Sequence, residues 1–438
     1  MSGEFLPDHT PLTQVSYTAR MRILAFLVLP VIALGITGLH SGQDTAIFVL
    51  SLLLYCVLCL PFLARRTYTL VEPFTVLFGM LYIGLPLKLG WALAFRDSPK
   101  FVYYMQGQPI ETLIMPAVLS LLGVSALCIG YTSGQSITGK TKPFRFPDRE
   151  WNTKLLFCVC GIALAISTIV FIFYARRAGI SFRGNGPISA KRIEAVADGP
   201  MGRGSLAYYR WGISLAQIVF YLIFAWSLKR RLGRRGVMLL GVILTLPLLM
   251  SFMMPFVTSS RTPLIFFLLE CLIILYCLKD DVFTGKWLTA QLVSCVVVVS
   301  LFMFILALRG DPNAEKSRAD SMTPVALAEH VVGARYLADI TKTGQIYHAI
   351  PNFIPFQRGT SYTAVLFAPI PRDVWPGKPA IGLGPFIGKE IYGLDHTGVP
   401  PGMIGEAYLN FGWPGVAVIP FLFGCFVRWS YEKLRGSL

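Results

Sequence analysis

Ten long apolar runs divide this 438-residue chain, and they constrain its fold more than any other feature. Each run is about 17–25 residues long, enough for a helix to cross the hydrocarbon core of a bilayer. In lipid, backbone hydrogen bonds are satisfied only within helices or closed barrels, so runs of this length predict membrane helices. We place them at about 22–40, 45–63, 70–95, 112–131, 154–174, 205–227, 236–257, 262–278, 287–308 and 404–427.

The composition agrees with a membrane location. Hydrophobic residues make up 54% of the chain and charged residues only 14%, where a soluble protein carries about 25%. The net charge of +16 would suggest nucleic acid binding in a soluble protein. In a membrane protein it indicates basic cytoplasmic loops and an anionic lipid or substrate. The sequence has no nucleic-acid-binding signature, so we predict no nucleic acid partner.

These observations predict an all-α fold, a polytopic integral membrane bundle of about ten transmembrane helices. Residues 1–438 then form a single integral membrane domain. Lysine and arginine concentrate in the connections on one side, for example at Arg65 and Arg66 and from Lys229 to Arg235. The positive-inside rule therefore places both termini in the cytoplasm.

Two outer loops carry more charge than this rule expects. The loop 175–204 is strongly basic and short enough to conflict with the rule, so either the topology differs there or its cations bind an anion. The long loop 309–403 escapes the rule because of its length. Within it, Thr323–Ile340 has amphipathic helical spacing, and Ser361–Ile370 is apolar but too short to span a bilayer. Nine prolines between 350 and 401 predict an irregular backbone there.

Three arginines on the predicted outer side are candidate anion ligands, and we assign Arg261 to catalysis and the other two to substrate binding. Arg261 precedes Pro263, which suits the first turn of a helix, so free N–H groups would face the same anion. Arg192 in the basic loop and Arg309 at the end of a span are further candidates, because guanidinium groups match phosphate oxygens. Snorkelling or solvated arginines are the alternative interpretation.

The segment Pro371–Pro379 combines Arg372 and Lys378 with an aromatic residue, Trp375. Cations next to a tryptophan suit a sugar ring that carries a phosphate. The alternative is a tryptophan that anchors the chain at the membrane interface.

A carboxylate inside the last apolar run is the sharpest candidate. Glu406, Asn410 and Trp413 lie at i, i+4 and i+7, which places them on one helix face. An ionisable group at membrane depth is expensive and usually functional, so Glu406 is a candidate general base. The alternative is a structural pair with a loop arginine. We assign Asn410 and the neighbouring Tyr408 to substrate binding.

His396 is a second candidate base, because neutral imidazole suits the external pH. No metal-binding, phosphate-binding-loop or nucleophile-elbow pattern occurs in the sequence. We therefore expect neither a metal nor a cofactor. For Glu270, in the middle of a span, we expect a structural partner such as Lys88 or Arg210.

Four stretches resemble the bacterial oligosaccharide repeat-unit polymerases of the Wzy type. They are Lys191–Gly204, Ser259–Arg261, Pro371–Pro379 and Ile404–Gly415. The resemblance implies a metal-independent glycosyltransferase in the bacterial inner membrane, with the two outer loops in the periplasm. It would join undecaprenyl-diphosphate-linked repeat units into O-antigen or exopolysaccharide, within membrane lipid and alongside a chain-length regulator and a flippase.

Two other functions fit parts of the pattern. A lipid-linked oligosaccharide flippase or transporter predicts polar residues in several spans and paired halves, whereas polar residues here concentrate on one side. An O-antigen ligase uses the same kind of donor and is poorly separated from a polymerase by sequence.

Overall fold

A computed structural model of the chain describes residues 16–65, 68, 72–138, 152–177, 205–229, 234–258, 262–278, 332, 338–367, 370, 374–375, 383–394 and 398–435. These residues form helices and turns without a β-strand, which confirms the all-α class for the described part. The chain divides into two compact units. One comprises 1–13, 147–315 and 371–377, and the other comprises 14–146, 316–370 and 378–438.

The helices are, in chain order, α1 (Tyr17–Thr37), α2 (Gly42–Leu63), α3 (Pro73–Tyr82), α4 (Lys88–Ala94), α5 (Pro99–Met105), α6 (Ile114–Thr138), α7 (Thr153–Arg177), α8 (Ser205–Lys229), α9 (Arg234–Thr258), α10 (Thr262–Leu278), α11 (Ile340–Ala349), α12 (Thr360–Ala364), α13 (Leu383–Glu390) and α14 (Gly402–Arg435). Helices α7 to α10 belong to the first unit and the others to the second.

Seven stretches are long and apolar enough to cross a membrane: Tyr17–Thr37, Gly42–Leu63, Pro73–Ala94, Ile110–Gly134, Thr153–Tyr174, Gly212–Lys229 and Gly402–Leu434. Each coincides with a predicted span. The described apolar parts of α9 and α10 are shorter, at Leu240–Ser251 and Phe266–Leu278. The predicted span 287–308 lies outside the described residues, and so does most of the predicted helix Thr323–Ile340.

The third predicted span is continuous but irregular. A π-helical turn, Ile83–Leu87, joins α3 to α4 and contains Pro86, which cannot donate an α-helical hydrogen bond. Gly84 in this turn packs directly against the backbone of Ala338, since a Cβ atom there would lie 1.8 Å from that carbonyl oxygen. The long loop therefore docks onto the irregular part of the span.

Helices α6 and α14 form the centre of the second unit, and glycines allow them to approach closely. A Cβ atom on Gly130 would lie 2.1 Å from the carbonyl oxygen of Phe421. A Cβ atom on Gly424 would lie 2.4 Å from that of Leu127. Small residues at such crossings are how membrane helices gain packing energy without a hydrophobic drive.

We expect Gly130→Ala to destabilise the second unit by about 1–3 kcal/mol, because the added methyl group meets backbone that cannot rotate away. Gly79→Ala is the matched control: Gly79 is also helical, in α3, and a Cβ atom there has open space. It should be neutral or stabilising by up to about 1 kcal/mol through helix propensity. Thermal unfolding of the detergent-solubilised protein measures both, and equal melting temperatures would contradict the close crossing.

The long loop contributes a polar helix to the interior of this unit. Helix α11 is buried along most of its length, including Thr341, Lys342, Thr343 and Gln345. Three of its polar side chains contact backbone carbonyls. Lys342 Nζ donates to the Pro400 carbonyl (2.9 Å), Gln345 Nε2 donates to that of Met105 (3.0 Å), and His348 Nε2 lies 3.1 Å from that of Thr112. Burial of so polar a helix is possible because these groups have partners.

A salt bridge fixes the start of α11. Lys88 Nζ donates to Asp339 Oδ2 at 2.7 Å, and both side chains are fully buried. Asp339 also caps α11, since its Oδ1 accepts from the Thr341 backbone N–H at 3.0 Å. Lys88, which together with Arg210 was an expected partner of Glu270, therefore has its counter-charge in Asp339.

A second buried ionic cluster lies near the other end of α14. Arg428 is 1% exposed and pairs with Glu432 and with Glu72, whose Oε2 also accepts from the Tyr131 hydroxyl. Arg65 pairs with the same Glu72 carboxylate. The cluster ties α14 to α6 and to the segment before α3.

Candidate functional site

The break in α14 creates the site. Gly412 adopts φ 66° and ψ −149°, a conformation open to glycine but not to other residues, and it interrupts the helix. In an unbroken helix the Asn410 carbonyl would accept from residue 414, but that residue is Pro414 and has no N–H. The break therefore leaves carbonyl groups at the end of 402–411 without helical partners.

Backbone N–H groups in a turn of the long loop donate to these carbonyls. The N–H of Gln357 donates to the Leu409 carbonyl at 3.0 Å, and that of Arg358 donates to the Asn410 carbonyl at 3.1 Å. The N–H of Gly359 donates to Asn410 Oδ1 at 2.9 Å. The backbone of 357–359 thus replaces the missing helical donors, which holds the loop against the broken helix.

Glu406 lies next to this junction and is hydrogen-bonded to the loop. The Ser361 hydroxyl donates to Glu406 Oε1 at 2.8 Å. Asn410 Nδ2 donates to Ser361 Oγ and to the Glu406 carbonyl, both at 2.8 Å. Among the described residues, Glu406 Oε2 has no hydrogen-bond partner, and the side chain is partly exposed. A carboxylate with one oxygen held and the other open can accept a proton from a bound hydroxyl.

Tyr362 lies close to the Glu406 carboxylate and belongs to an aromatic pair. Tyr362 stacks on Phe411, with ring centroids 6.3 Å apart and planes at 8°. Burial raises the pKa of the Tyr362 phenol, and the neighbouring Glu406 charge raises it further. The phenol therefore stays neutral near pH 7, while Phe411 presents a partly exposed ring. Such a platform suits the apolar face of a sugar.

Arg358 adds a cation to the same turn. It has φ 48°, the left-handed region that residues other than glycine rarely adopt. Its side chain is exposed and makes no hydrogen bond or ion pair with other described residues. The turn thus holds an arginine at the loop–helix junction at a cost in backbone energy.

The five predicted cations and the candidate base His396 lie outside the described residues. The cations are Arg192, Arg261, Arg309, Arg372 and Lys378. Trp375 is described; its side chain is exposed and it belongs to the first unit. Their predicted roles therefore stay predictions.

Two residues that follow Glu406 in α14, Tyr408 and Asn410, have buried side chains. Asn410 is 1% exposed, and its amide group contacts only protein. Tyr408 is buried, and its hydroxyl donates to the Ile350 carbonyl at 3.3 Å. Both side chains therefore support the site from inside the protein, and the substrate contact predicted for them stays a prediction. Trp413 follows the break, so it does not continue the helical face of Glu406.

Sequence reasoning missed Ser361 and Arg358. Ser361 stood within an apolar stretch, and its partner Glu406 lies 45 residues further along the chain. Arg358 precedes Gly359 in a proline-rich loop that gives no periodic signal. The local hint was the Gly412–Trp413–Pro414 sequence, since a helix broken there needs donors from elsewhere.

The described residues contain no group of three or more histidine, cysteine, aspartate or glutamate side chains arranged to hold a metal. We compared the chain with family models, with curated proteins and with solved structures, and none of the three comparisons gave a match.

Proposed function

We propose that the chain is a polysaccharide polymerase that joins undecaprenyl-diphosphate-linked oligosaccharide repeat units, in O-antigen or exopolysaccharide synthesis. The observation that carries the proposal is the partly exposed Glu406 carboxylate, held at the break of a membrane helix by a turn of the long polar loop. A reactive carboxylate at this position suits a lipid-anchored substrate whose glycan extends away from the bilayer.

In this proposal the site works at the periplasmic face of the inner membrane. About ten helices span the bilayer with both termini in the cytoplasm, as the distribution of basic residues indicates. The Arg428 cluster would then lie toward the cytoplasm, near the opposite end of α14 from Glu406. The loops 175–204 and 309–403 would line the periplasmic side.

The proposed reaction is a metal-independent glycosyl transfer. Glu406 Oε2 accepts the proton of an acceptor sugar hydroxyl as the oxygen attacks the anomeric carbon of the donor chain. The new glycosidic bond forms as the bond from that carbon to the diphosphate breaks, and the diphosphate leaves on its lipid. Arginines stabilise the departing charge, and Arg261 remains our sequence-based candidate alongside Arg358.

The glycan ladder of a deletion strain tests this function. With the gene deleted, we expect surface glycans that carry a single repeat unit, and complementation should restore long chains. Loss of all repeats, including the single one, would indicate a ligase or a flippase and contradict the polymerase.

We expect Arg358→Gly to lower elongation about 10- to 100-fold, the cost of one charge-assisted contact to a diphosphate. Its effect on folding should be small because two effects oppose each other. Glycine relieves about 1 kcal/mol of left-handed strain in the folded state, but it also gives the unfolded chain more conformational freedom. Arg358→Lys, which keeps the charge, should retain more activity. Ladder length and melting temperature are measured together. Glycan chains of wild-type length from Arg358→Gly would show that Arg358 does not contribute to the site.

A further inference from the structure

The hydrogen bonds around Glu406 form a chain with one possible direction. The Gly359 N–H can only donate, so it fixes the orientation of the Asn410 amide with Oδ1 toward it. Asn410 Nδ2 must then donate to Ser361 Oγ. The single Ser361 hydrogen is left for Glu406 Oε1. The loop backbone therefore determines how the carboxylate is held.

The three side chains of this hydrogen-bond chain differ in their exposure to solvent. Asn410 is 1% exposed and Ser361 is 6% exposed, whereas Glu406 is partly open. A sugar hydroxyl can thus reach the carboxylate but not the serine or the amide. Any influence of Ser361 on a reaction must pass through Glu406.

We propose that Ser361 is a positioning residue, which holds Glu406 Oε1 so that Oε2 receives the acceptor hydroxyl. This inference rests on the proposed polymerase function and names the atom that takes the proton. Without the turn 357–361 on α14, Glu406 Oε1 would lose the Ser361 donor. The proposal therefore makes the docked loop a condition of the reaction.

The test measures elongation by purified protein in proteoliposomes, with lipid-linked glycan extracted from the deletion strain as substrate. Ser361→Ala should lower kcat about 10-fold or more with an unchanged KM, because orientation of the base affects the transition state and not binding. Thr363→Ala is the matched control, since Thr363 lies in the same short helix and its hydroxyl contacts only the Thr360 and Gly359 carbonyls. It should keep full activity.

A second comparison distinguishes positioning from support of the fold. In a Glu406→Gln background, Ser361→Ala should cost little further activity, because the group through which it acts is already gone. An equal loss in both backgrounds, or a lowered melting temperature, would overturn the positioning role. Full activity of Ser361→Ala, measured with an active wild type, would also overturn the positioning role. An inactive wild type would instead overturn the proposed function itself, and the positioning role with it.

Discussion

Glutamine in place of Glu406 is expected to stop glycan elongation while leaving the protein folded in the membrane. The amide oxygen of glutamine can still accept the Ser361 hydroxyl, so the junction between loop and helix is retained. The amide cannot accept a proton from the acceptor sugar near neutral pH. Loss of general base catalysis lowers rates about 10²- to 10⁴-fold, which would empty the ladder of long chains.

Glu390→Gln is the control for this experiment. Glu390 is an exposed glutamate of α13 in the same unit, and its replacement removes the same charge without changing the hydrogen bonds around Glu406. It should leave the ladder unchanged. Long chains from Glu406→Gln at wild-type protein levels would show that the carboxylate is structural.

Methionine in place of Lys88 is expected to cost about 3–5 kcal/mol of stability, since it leaves the Asp339 charge buried without its partner. The loss should be visible as a large drop in melting temperature and in the amount of protein in the membrane. Lys389→Met, which changes an exposed lysine of α13, should have no such effect.

A double variant shows whether the unpaired charge is the cause. Asp339→Asn keeps an oxygen that can cap α11 but removes the charge. Lys88→Met combined with Asp339→Asn should therefore recover much of the stability lost in Lys88→Met alone. A double variant as unstable as Lys88→Met would attribute the loss to packing, for example to the Tyr104 ring 5.2 Å from Lys88 Nζ.

The helices were predictable because each apolar run carries its own signal. Length and hydropathy place α1, α2 and α7 within a few residues of their observed bounds. The same reasoning placed Glu406 and Asn410 on one helix face, and Asn410 Nδ2 does donate to the Glu406 carbonyl. These features depend on residues close in sequence.

The features that sequence reasoning missed depend on distant partners. Lys88 finds Asp339 across 251 residues, and no local pattern indicates such a pair. Helix α11 is rich in polar residues and is typical of a solvent-exposed segment. It is nevertheless buried, because its polar side chains have partners that are distant in sequence. The position of Trp413 was wrong because Gly412 and Pro414 end the helical register before it. Gly412 and Pro414 inside the apolar run were the local signal that the helix breaks.

Elongation by the purified protein tests the central claim most directly. The wild type and Glu406→Gln are reconstituted in proteoliposomes with lipid-diphosphate-linked repeat units from the deletion strain, and the products are separated by length. We predict a series of longer lipid-linked chains from the wild type and elongation at least about 100-fold slower from Glu406→Gln. Starting units alone from both proteins, or equal elongation by both, would contradict a polymerase that works through Glu406.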